Sequence, residues 1–151
     1  MAETTITHAA PFARYSLRAR TPQALEQVTG LKLPRKINNA RGDVICLGPD
    51  EWLALLPDGA KLNMGDGLPV SIADISYRQI GIVIEGPRAV ELIAAGCPLD
   101  VARIPVGYAT RTIFELVEII LWRQAETRIH IEVWRSFAPW LCEALQRSSV
   151  D

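Results

Sequence analysis

The feature that most constrains the fold is a helix signal that occurs twice, each time after a strand-like segment. Thr21 and Pro22 open the first signal and Gly30 closes it, in the order of an N-cap, a first helical residue and a stop. Gly86 and Gly96 bracket the second, which also begins with a proline. Proline is tolerated in a first helical turn because the amide hydrogen that it lacks has no partner there. Two short helices are therefore predicted, over about residues 22–29 and 87–95.

A third helix is predicted after Ser136, because apolar residues follow at helical spacing. These residues are Phe137, Trp140, Leu141, Ala144 and Leu145. Strands are predicted where apolar residues alternate with polar ones or run together. Those segments are 13–20, 43–47, 52–56, 79–85 and 128–134. The stretch 111–123 must hold one or two more strands, but no Gly, Pro, Asn or Asp marks a turn in it.

The order of these elements predicts an α+β fold. A strand, a Pro-led helix and further strands occur twice, which suggests two βαββ-like (ferredoxin-like) halves at about 12–57 and 73–147. The Gly/Pro-rich segment 57–69 joins them. The expected product is a mainly antiparallel sheet with about three helices. We expect residues 1–151 to form one domain, since a chain of this length can bury one substantial core.

The charge of the chain is unevenly distributed. The formal net charge is −1, yet residues 1–41 carry +5 and the remainder carries −6. The basic residues of that segment are Arg14, Arg18, Arg20, Lys32, Arg35, Lys36 and Arg41. Such a segment is either an ordinary solvated surface or a docking surface for an acidic partner. The small total charge and the lack of a nucleic-acid-binding motif argue against nucleic acid as the partner.

Location in the cell can also be predicted. The longest clear apolar run, 119–122, is far shorter than the roughly 20 residues of a membrane helix. The N-terminal residues show no basic region followed by an apolar stretch, so we expect a cytoplasmic protein and no membrane partner. Cys46, Cys97 and Cys142 are odd in number and widely spaced, which is typical of reduced core thiols.

Residues that could perform chemistry are few. His8 and His130 are the only histidines. His8 lies in an N-terminus that we expect to be frayed, and strict alternation puts His130 on the side of its strand away from Ile129 and Ile131. No Gly-x-Ser-x-Gly elbow, Walker loop or Gly-x-Gly-x-x-Gly motif occurs. We therefore predict no catalytic, metal-binding or cofactor-binding residue.

Asp74 and Ser76 form the best local polar feature, directly before an Ile-rich strand. Asp and Ser at such a place most often satisfy nearby backbone donors, and we interpret the pair as structural.

The tryptophans give the candidate contacts with a partner. Trp134 shares the polar face of its predicted strand with His130 and Glu132, so it is either an interface anchor or lies under the C-terminal helix. Trp52 begins an apolar run that indicates a strand covered on both faces, and one cover could be another chain. The predicted interface residues are Trp134, Trp52, Arg14, Arg18 and Arg20.

Four groups of residues together resemble the gamma subunit of heterotetrameric sarcosine oxidase. They are 47–53, 74–76 with 86–89, 96–100, and 121–123 with 135–138. The resemblance covers about residues 12–146. It implies a complex of four different subunits that oxidatively demethylates sarcosine, in which FAD, FMN, NAD and tetrahydrofolate are held by the large subunits. The gamma subunit would then be structural and would contact chiefly the large alpha-type subunit.

The same family is similar in fold to the first half of the tetrahydrofolate-binding aminomethyltransferase of glycine cleavage. The Gly-containing turn and acidic pair that are catalytic in that enzyme are missing from the corresponding residues 114–121 here. No catalytic residue is therefore carried over. Two alternatives stay open from the sequence: a stand-alone tetrahydrofolate-binding, aminomethyltransferase-like protein, and an unrelated adaptor with a ferredoxin-like fold.

Overall fold

The computed structural model describes residues 3–150. The chain divides into two compact units. Unit I is Pro11–Ser76, and unit II consists of residues 3–10 together with 77–150. In chain order the elements are β1 (Thr5–His8), β2 (Phe12–Ala19), α1 (Pro22–Thr29), β3 (Asn39–Arg41), β4 (Val44–Gly48), β5 (Glu51–Pro57), β6 (Val70–Asp74), β7 (Gln79–Glu85), α2 (Ala89–Ala94), β8 (Ala109–Phe114), β9 (Val117–Ala125), β10 (Arg128–Trp134) and α3 (Ala138–Ser149). Short 3₁₀ helices at Val101–Arg103 and Arg135–Phe137 complete the list.

Unit I contains a five-stranded antiparallel sheet with the order β3-β4-β5-β2-β6. The helix α1 forms as its punctuation predicts. The hydroxyl of Thr21 accepts a hydrogen bond from the Ala24 N–H, and Gly30 ends the helix with a φ of 75°, a conformation that glycine adopts without a steric penalty. The core combines strand residues with Leu25 of α1 and Leu33 of the loop that follows it.

Unit II contains a second five-stranded antiparallel sheet, with the order β1-β7-β10-β9-β8. The predicted alternation in β10 is confirmed on one face, where Ile129, Ile131 and Val133 are buried in a core shared with α2 and α3. The helix α3 contributes Leu141 and Leu145 to the same core. Both units therefore follow the rule that an amphipathic sheet buries one face against other elements.

The α+β class, the antiparallel pairing and the three helices are confirmed. The strands form two sheets, whereas the order of elements alone suggested one. Within 111–123, β8 ends and β9 begins around a turn that contains Glu115 at a φ of 54°. A non-glycine residue at positive φ is uncommon, so the sequence carries no signal for this turn. The single domain and its pseudo-repeat halves stay predictions.

The N-terminal segment differs from its prediction. His8 is not frayed, because it belongs to β1 and lies opposite Ile82 of β7. The short strands β3 and β6 were also not predicted, since they are brief edge strands with little alternation. No helix among the described residues 3–150 combines the length and the apolar character needed to cross a membrane.

Candidate partner interface

Trp52, one of the five predicted interface residues, lies in the core of unit I. Trp52 is only 2% exposed, and its indole N–H donates a hydrogen bond to the Pro34 carbonyl at 2.9 Å. The structure thus buries both faces of this part of β5 within the chain itself. A second chain is not needed to cover Trp52, and the indole offers no surface to one.

Arg14 is also buried, with 4% of the residue exposed. Its guanidinium lies 5.6 Å from the centroid of the Phe12 ring, and its backbone N–H donates to the Ser76 hydroxyl at 2.9 Å. In turn, Ser76 donates from its hydroxyl and its N–H to the same Asp74 oxygen, at 2.6 and 2.9 Å, and these bonds hold the pKa of Asp74 below its usual value. Asp74 and Ser76 therefore have the structural role that the sequence indicates, while burial removes Arg14 from a docking surface.

Arg18 and Arg20 are exposed in unit I. The side chain of Arg18 is 57% exposed and pairs with Glu51 across the β2–β5 ladder at 3.4 Å. Exposed ion pairs of this kind contribute little to stability, so Arg18 stays available to an incoming surface. The contact of Arg18 and Arg20 with a partner stays a prediction.

Trp134 is 48% exposed at the end of β10 in unit II. Two other exposed aromatic residues follow from its place in the sheet, since Phe137 comes three residues later and Tyr77 lies two residues before Gln79, which pairs with Trp134. Tyr77, just before β7, is 85% exposed, and Phe137, at the end of the second 3₁₀ helix, is 47% exposed. We call Tyr77, Trp134 and Phe137 the aromatic cluster. Trp134 does not lie buried under the C-terminal helix, which was the alternative to its role as an anchor.

Hydrogen bonds from the backbone and the side chain of Arg135 connect the two segments that carry the aromatic cluster. The Arg135 N–H donates to the Arg78 carbonyl at 2.8 Å, and its guanidinium Nε donates to the Tyr77 carbonyl at 3.0 Å. The side chain of Arg78 is exposed. Residues 77–79 and 134–137 thus combine three aromatic rings with two arginines and contain no carboxylate. Aromatic residues and arginine are the types that contribute most to protein–protein affinity.

Sequence reasoning found Trp134 but missed its two neighbours. Phe137 was assigned to the buried stripe of the third helix, yet it precedes α3 and is exposed because the chain there forms a 3₁₀ turn. Tyr77 lies outside any periodic segment, so hydropathy gave no signal. Only the pairing of β7 with β10 brings these residues to one end of the sheet.

His130 and Glu132 form a buried polar pair on the side of β10 away from the α2 and α3 core. His130 Nε2 lies 2.8 Å from Glu132 Oε2, and the two side chains are 3% and 0% exposed. The polar face of β10 is therefore buried at these two positions. The surroundings are tight, since a Cβ added at Gly81 would lie 2.8 Å from His130 Cε1 and 3.0 Å from Glu132 Oε2. Trp122 also packs edge-on against the imidazole, with 5.8 Å between ring centroids. This close packing fits a structural pair.

Metal-ligating and nucleophilic side chains are the remaining candidates for a site. Across residues 3–150, no three His, Cys, Asp or Glu side chains cluster closely enough to hold a metal ion. The thiols of Cys46, Cys97 and Cys142 are free, and burial raises the pKa of Cys46 and of Cys142. A raised pKa keeps a thiol protonated and unreactive near neutral pH.

A surface cavity of about 290 Å³ lies beside α2 and α3 in unit II. Of the polar residues that line it, Arg88 donates from Nε to Glu91 Oε2 at 2.9 Å and from Nη1 to the backbone carbonyl of Ser149 at 2.7 Å. The cavity is at the small end of the range for ligand sites. Arg88 and Glu91 of its lining therefore already pair with groups of this chain.

Comparisons with known proteins agree with one another. Residues 19–151 match the model of the family described as "Sarcosine oxidase, gamma subunit family". A sarcosine oxidase subunit gamma from Corynebacterium sp. (strain P-1) is 30% identical over 139 residues, covering 81% of this chain and 68% of that protein. The corresponding protein of strain U-96 is 30% identical over 142 residues, covering 83% of this chain and 69% of that protein.

A solved structure is also similar. It is described as heterotetrameric sarcosine oxidase from Corynebacterium sp. U-96 in complex with pyrrole 2-carboxylate. One of its chains matches with a TM-score of 0.82 and 28% sequence identity, covering 97% of this chain and 85% of that chain.

Proposed function

Because the chain belongs to the sarcosine oxidase gamma subunit family, we propose that it is a non-catalytic structural subunit of a heterotetrameric sarcosine oxidase. In this complex the other subunits carry out the oxidative demethylation of sarcosine. This chain docks on the large, alpha-type subunit and supports it.

The observation that carries the proposal is the exposed aromatic cluster on unit II. Tyr77, Trp134 and Phe137 present large apolar surfaces to solvent, and two arginines accompany them without a carboxylate. Leaving three such rings in water is unfavourable, since each buries favourably against another apolar surface. Covering these rings on a partner subunit would gain free energy, and for this reason we assign the aromatic cluster to the interface.

The cofactors of the proposed complex belong to its partner subunits. We propose that FAD, FMN, NAD and tetrahydrofolate bind there. The buried polar pair of this chain is tightly packed, and the charged residues Arg88 and Glu91 that line its small cavity pair with each other, so neither supports a cofactor site. We further propose a cytoplasmic location, in keeping with three free thiols.

Copurification tests the assignment directly. The chain should be expressed with an affinity tag beside the large flavin-binding subunit and the other subunits encoded near it in the same genome. The expected result is a stoichiometric complex on size-exclusion chromatography. A chain that elutes alone as a monomer would contradict the proposal. Calorimetric binding of tetrahydrofolate to the isolated chain would favour the stand-alone folate protein instead.

Replacing Trp134 with Ala tests the aromatic cluster within that complex. Affinity should fall by about 2 kcal/mol, because truncating a buried interface tryptophan removes its packing and lets water in. Leu116→Ala is the matched control, since Leu116 is 95% exposed and lies in the same unit at the turn between β8 and β9. The two dissociation constants can be measured by surface plasmon resonance. Equal effects of the two substitutions would remove Trp134 from the interface.

A further inference from the structure

The loop between α1 and β3 in unit I carries a concentrated positive charge. We call residues 31–38 the basic loop. Its exposed residues include Lys32, Arg35 and Lys36, and it contains no carboxylate. Ile37, beside these cations, is 44% exposed. The loop therefore exposes three cations and one large apolar side chain within six residues.

One buried side chain and three hydrogen bonds to unit I fix the backbone of the basic loop. Leu33 is fully buried at 0% exposure, and its N–H donates to Glu26 Oε2 of α1 at 2.8 Å. The Pro34 carbonyl accepts the indole N–H of Trp52 at 2.9 Å. At the far end, the Asn38 N–H donates to the Cys46 carbonyl at 2.8 Å. These bonds fix the loop on the core of unit I, so its outward side chains start from a defined backbone.

One carboxylate balances part of the charge. Arg35 Nη2 donates to Glu26 Oε1 at 2.7 Å. This bond and the Leu33 N–H hold the pKa of Glu26 below its ordinary value, and the charge of Arg41 acts in the same direction. Glu26 is therefore ionised at neutral pH and neutralises Arg35. Lys32 and Lys36 remain as the outward positive charge of the basic loop.

We propose that the basic loop is an electrostatic docking site for an acidic protein surface on the larger partner subunit. This inference rests on the proposed function and names the chemistry of the partner at a second point of contact. A preformed cation array attracts an oppositely charged surface over several ångströms and raises the rate of encounter. It also costs little entropy on binding, because the backbone that holds it is already ordered.

The features of the loop favour a protein over a nucleic acid. Ile37 supplies apolar contact of the kind found within protein interfaces, whereas a nucleic-acid site uses more cations and stacking aromatic rings. The chain as a whole carries a net charge of −1, which opposes attraction to a polyanion. The positive charge counted over residues 1–41 is thus exposed in part as a local surface at residues 32–37.

Charge reversal of Lys32→Glu with Lys36→Glu tests the inference. The full chain and the partner subunits, coexpressed without it, should be mixed at several salt concentrations, and the association rate followed by stopped-flow fluorescence or surface plasmon resonance. At low ionic strength the association rate is expected to fall about tenfold or more. The dependence of the rate on salt should flatten or reverse, since the attraction is lost.

Arg103→Glu with Arg147→Glu is the matched control. Both side chains are exposed, at 88% and 63%, both lie in unit II, and the double substitution changes the net charge by the same amount. Its association rate should stay within about twofold of the wild-type rate. Circular dichroism and thermal melting should show that both double variants fold.

Each contrary outcome has its own meaning. If the wild-type chain binds none of the partner subunits, the proposed function fails. If it binds them, but the association rate is the same for the basic-loop variant and the control variant, only the role of the basic loop is overturned. Wild-type binding to duplex DNA, or a dimer of this chain that the Lys32 and Lys36 substitutions dissolve, would also overturn it.

Discussion

In unit I the eight-residue helix α1 and the basic loop complete the core, whereas in unit II residues of two helices, α2 and α3, pack with the sheet. Leu33 of the basic loop belongs to the core of unit I, whereas the core of unit II includes Leu141 and Leu145 of a second helix, α3. The difference shows that a loop with buried anchors can close a sheet as a helix does. Unlike a helix, such a loop has no periodicity that obliges its outward residues to follow a pattern, so it can carry several cations side by side.

The two units also differ in the chemistry of the surfaces that they expose. Unit II exposes the aromatic cluster, and unit I exposes the basic loop. Aromatic anchors act mainly on the rate of dissociation, because they must be pulled from a dry contact, and exposed charges act mainly on the rate of association. We therefore expect Trp134→Ala to shorten the lifetime of the complex and the Lys32 and Lys36 reversals to slow its formation.

The largest expected effect on stability concerns the core of unit I. Trp52→Ala should lower the free energy of unfolding by about 3–5 kcal/mol, because it leaves a large cavity and removes the donor to Pro34. Chemical denaturation measures this loss. Trp52→Phe keeps much of the ring and should cost about 1–2 kcal/mol while speeding amide exchange in the basic loop. Unchanged exchange in that variant would break the comparison, since the loop would then not depend on Trp52.

Overpacking in unit II should cost less. Gly81→Ala is expected to lower the free energy of unfolding by about 1–3 kcal/mol, since its Cβ would lie 2.9 Å from Ala9 Cβ and 2.8 Å from His130 Cε1. Gly48→Ala in unit I is the control, because its Cβ would lie 3.9 Å from Glu51 Cβ, an ordinary contact. The free energy of unfolding of that variant should lie within about 0.5 kcal/mol of the wild-type value. Equal thermal shifts would mean that the His130 surroundings are looser than their distances indicate.

The smallest effect should depend on pH. Glu26→Gln is expected to cost about 1 kcal/mol at neutral pH through weaker hydrogen bonds to Arg35 and Leu33. The pKa of Glu26 is held below its ordinary value of 4.5 in the folded chain, so its contribution is complete above about pH 5 and disappears as the pH falls through the folded pKa. The loss of stability caused by Glu26→Gln should therefore be larger in unfolding curves at pH 7 than in curves at pH 3.

A surface glutamate provides the control for this pH dependence. Glu143 is 71% exposed and its carboxylate lies 3.6 Å from Arg147. Glu143→Gln should change stability by no more than a few tenths of a kcal/mol at either pH, as is usual for exposed pairs. If it matched Glu26→Gln, the special link between Glu26 and the basic loop would be disproved.

Local sequence signals predicted some elements closely. The limits of α1, β7 and β10 match their predictions, since capping residues and strict alternation act within a few residues of the chain. The turn after Phe114 was not predictable, because Glu115 adopts a positive φ that its residue type disfavours. Its left-handed conformation is imposed by the pairing of β8 with β9, and the bond from its N–H to the Gly96 carbonyl at 2.7 Å adds support.

The candidate interface was less predictable than the fold. Alternation put His130, Glu132 and Trp134 on one face of β10, and they do share it, but the first two are buried and only Trp134 is exposed. Periodicity tells which residues share a face and not what covers that face. For the same reason, the charge count found the basic region while the individual residues Arg14 and Trp52 proved to be buried.

The sequence by itself determined the limits of α1, β7 and β10, the presence of three helices, the antiparallel α+β class and the family. These follow from backbone preferences and residue order, which are local or additive properties. Only the tertiary structure decided that the strands divide into two sheets, that Tyr77 joins Trp134 and Phe137, and that Leu33 holds the basic loop in place. Such features depend on contacts between residues far apart in the chain, and no local pattern specifies which surfaces those contacts leave exposed.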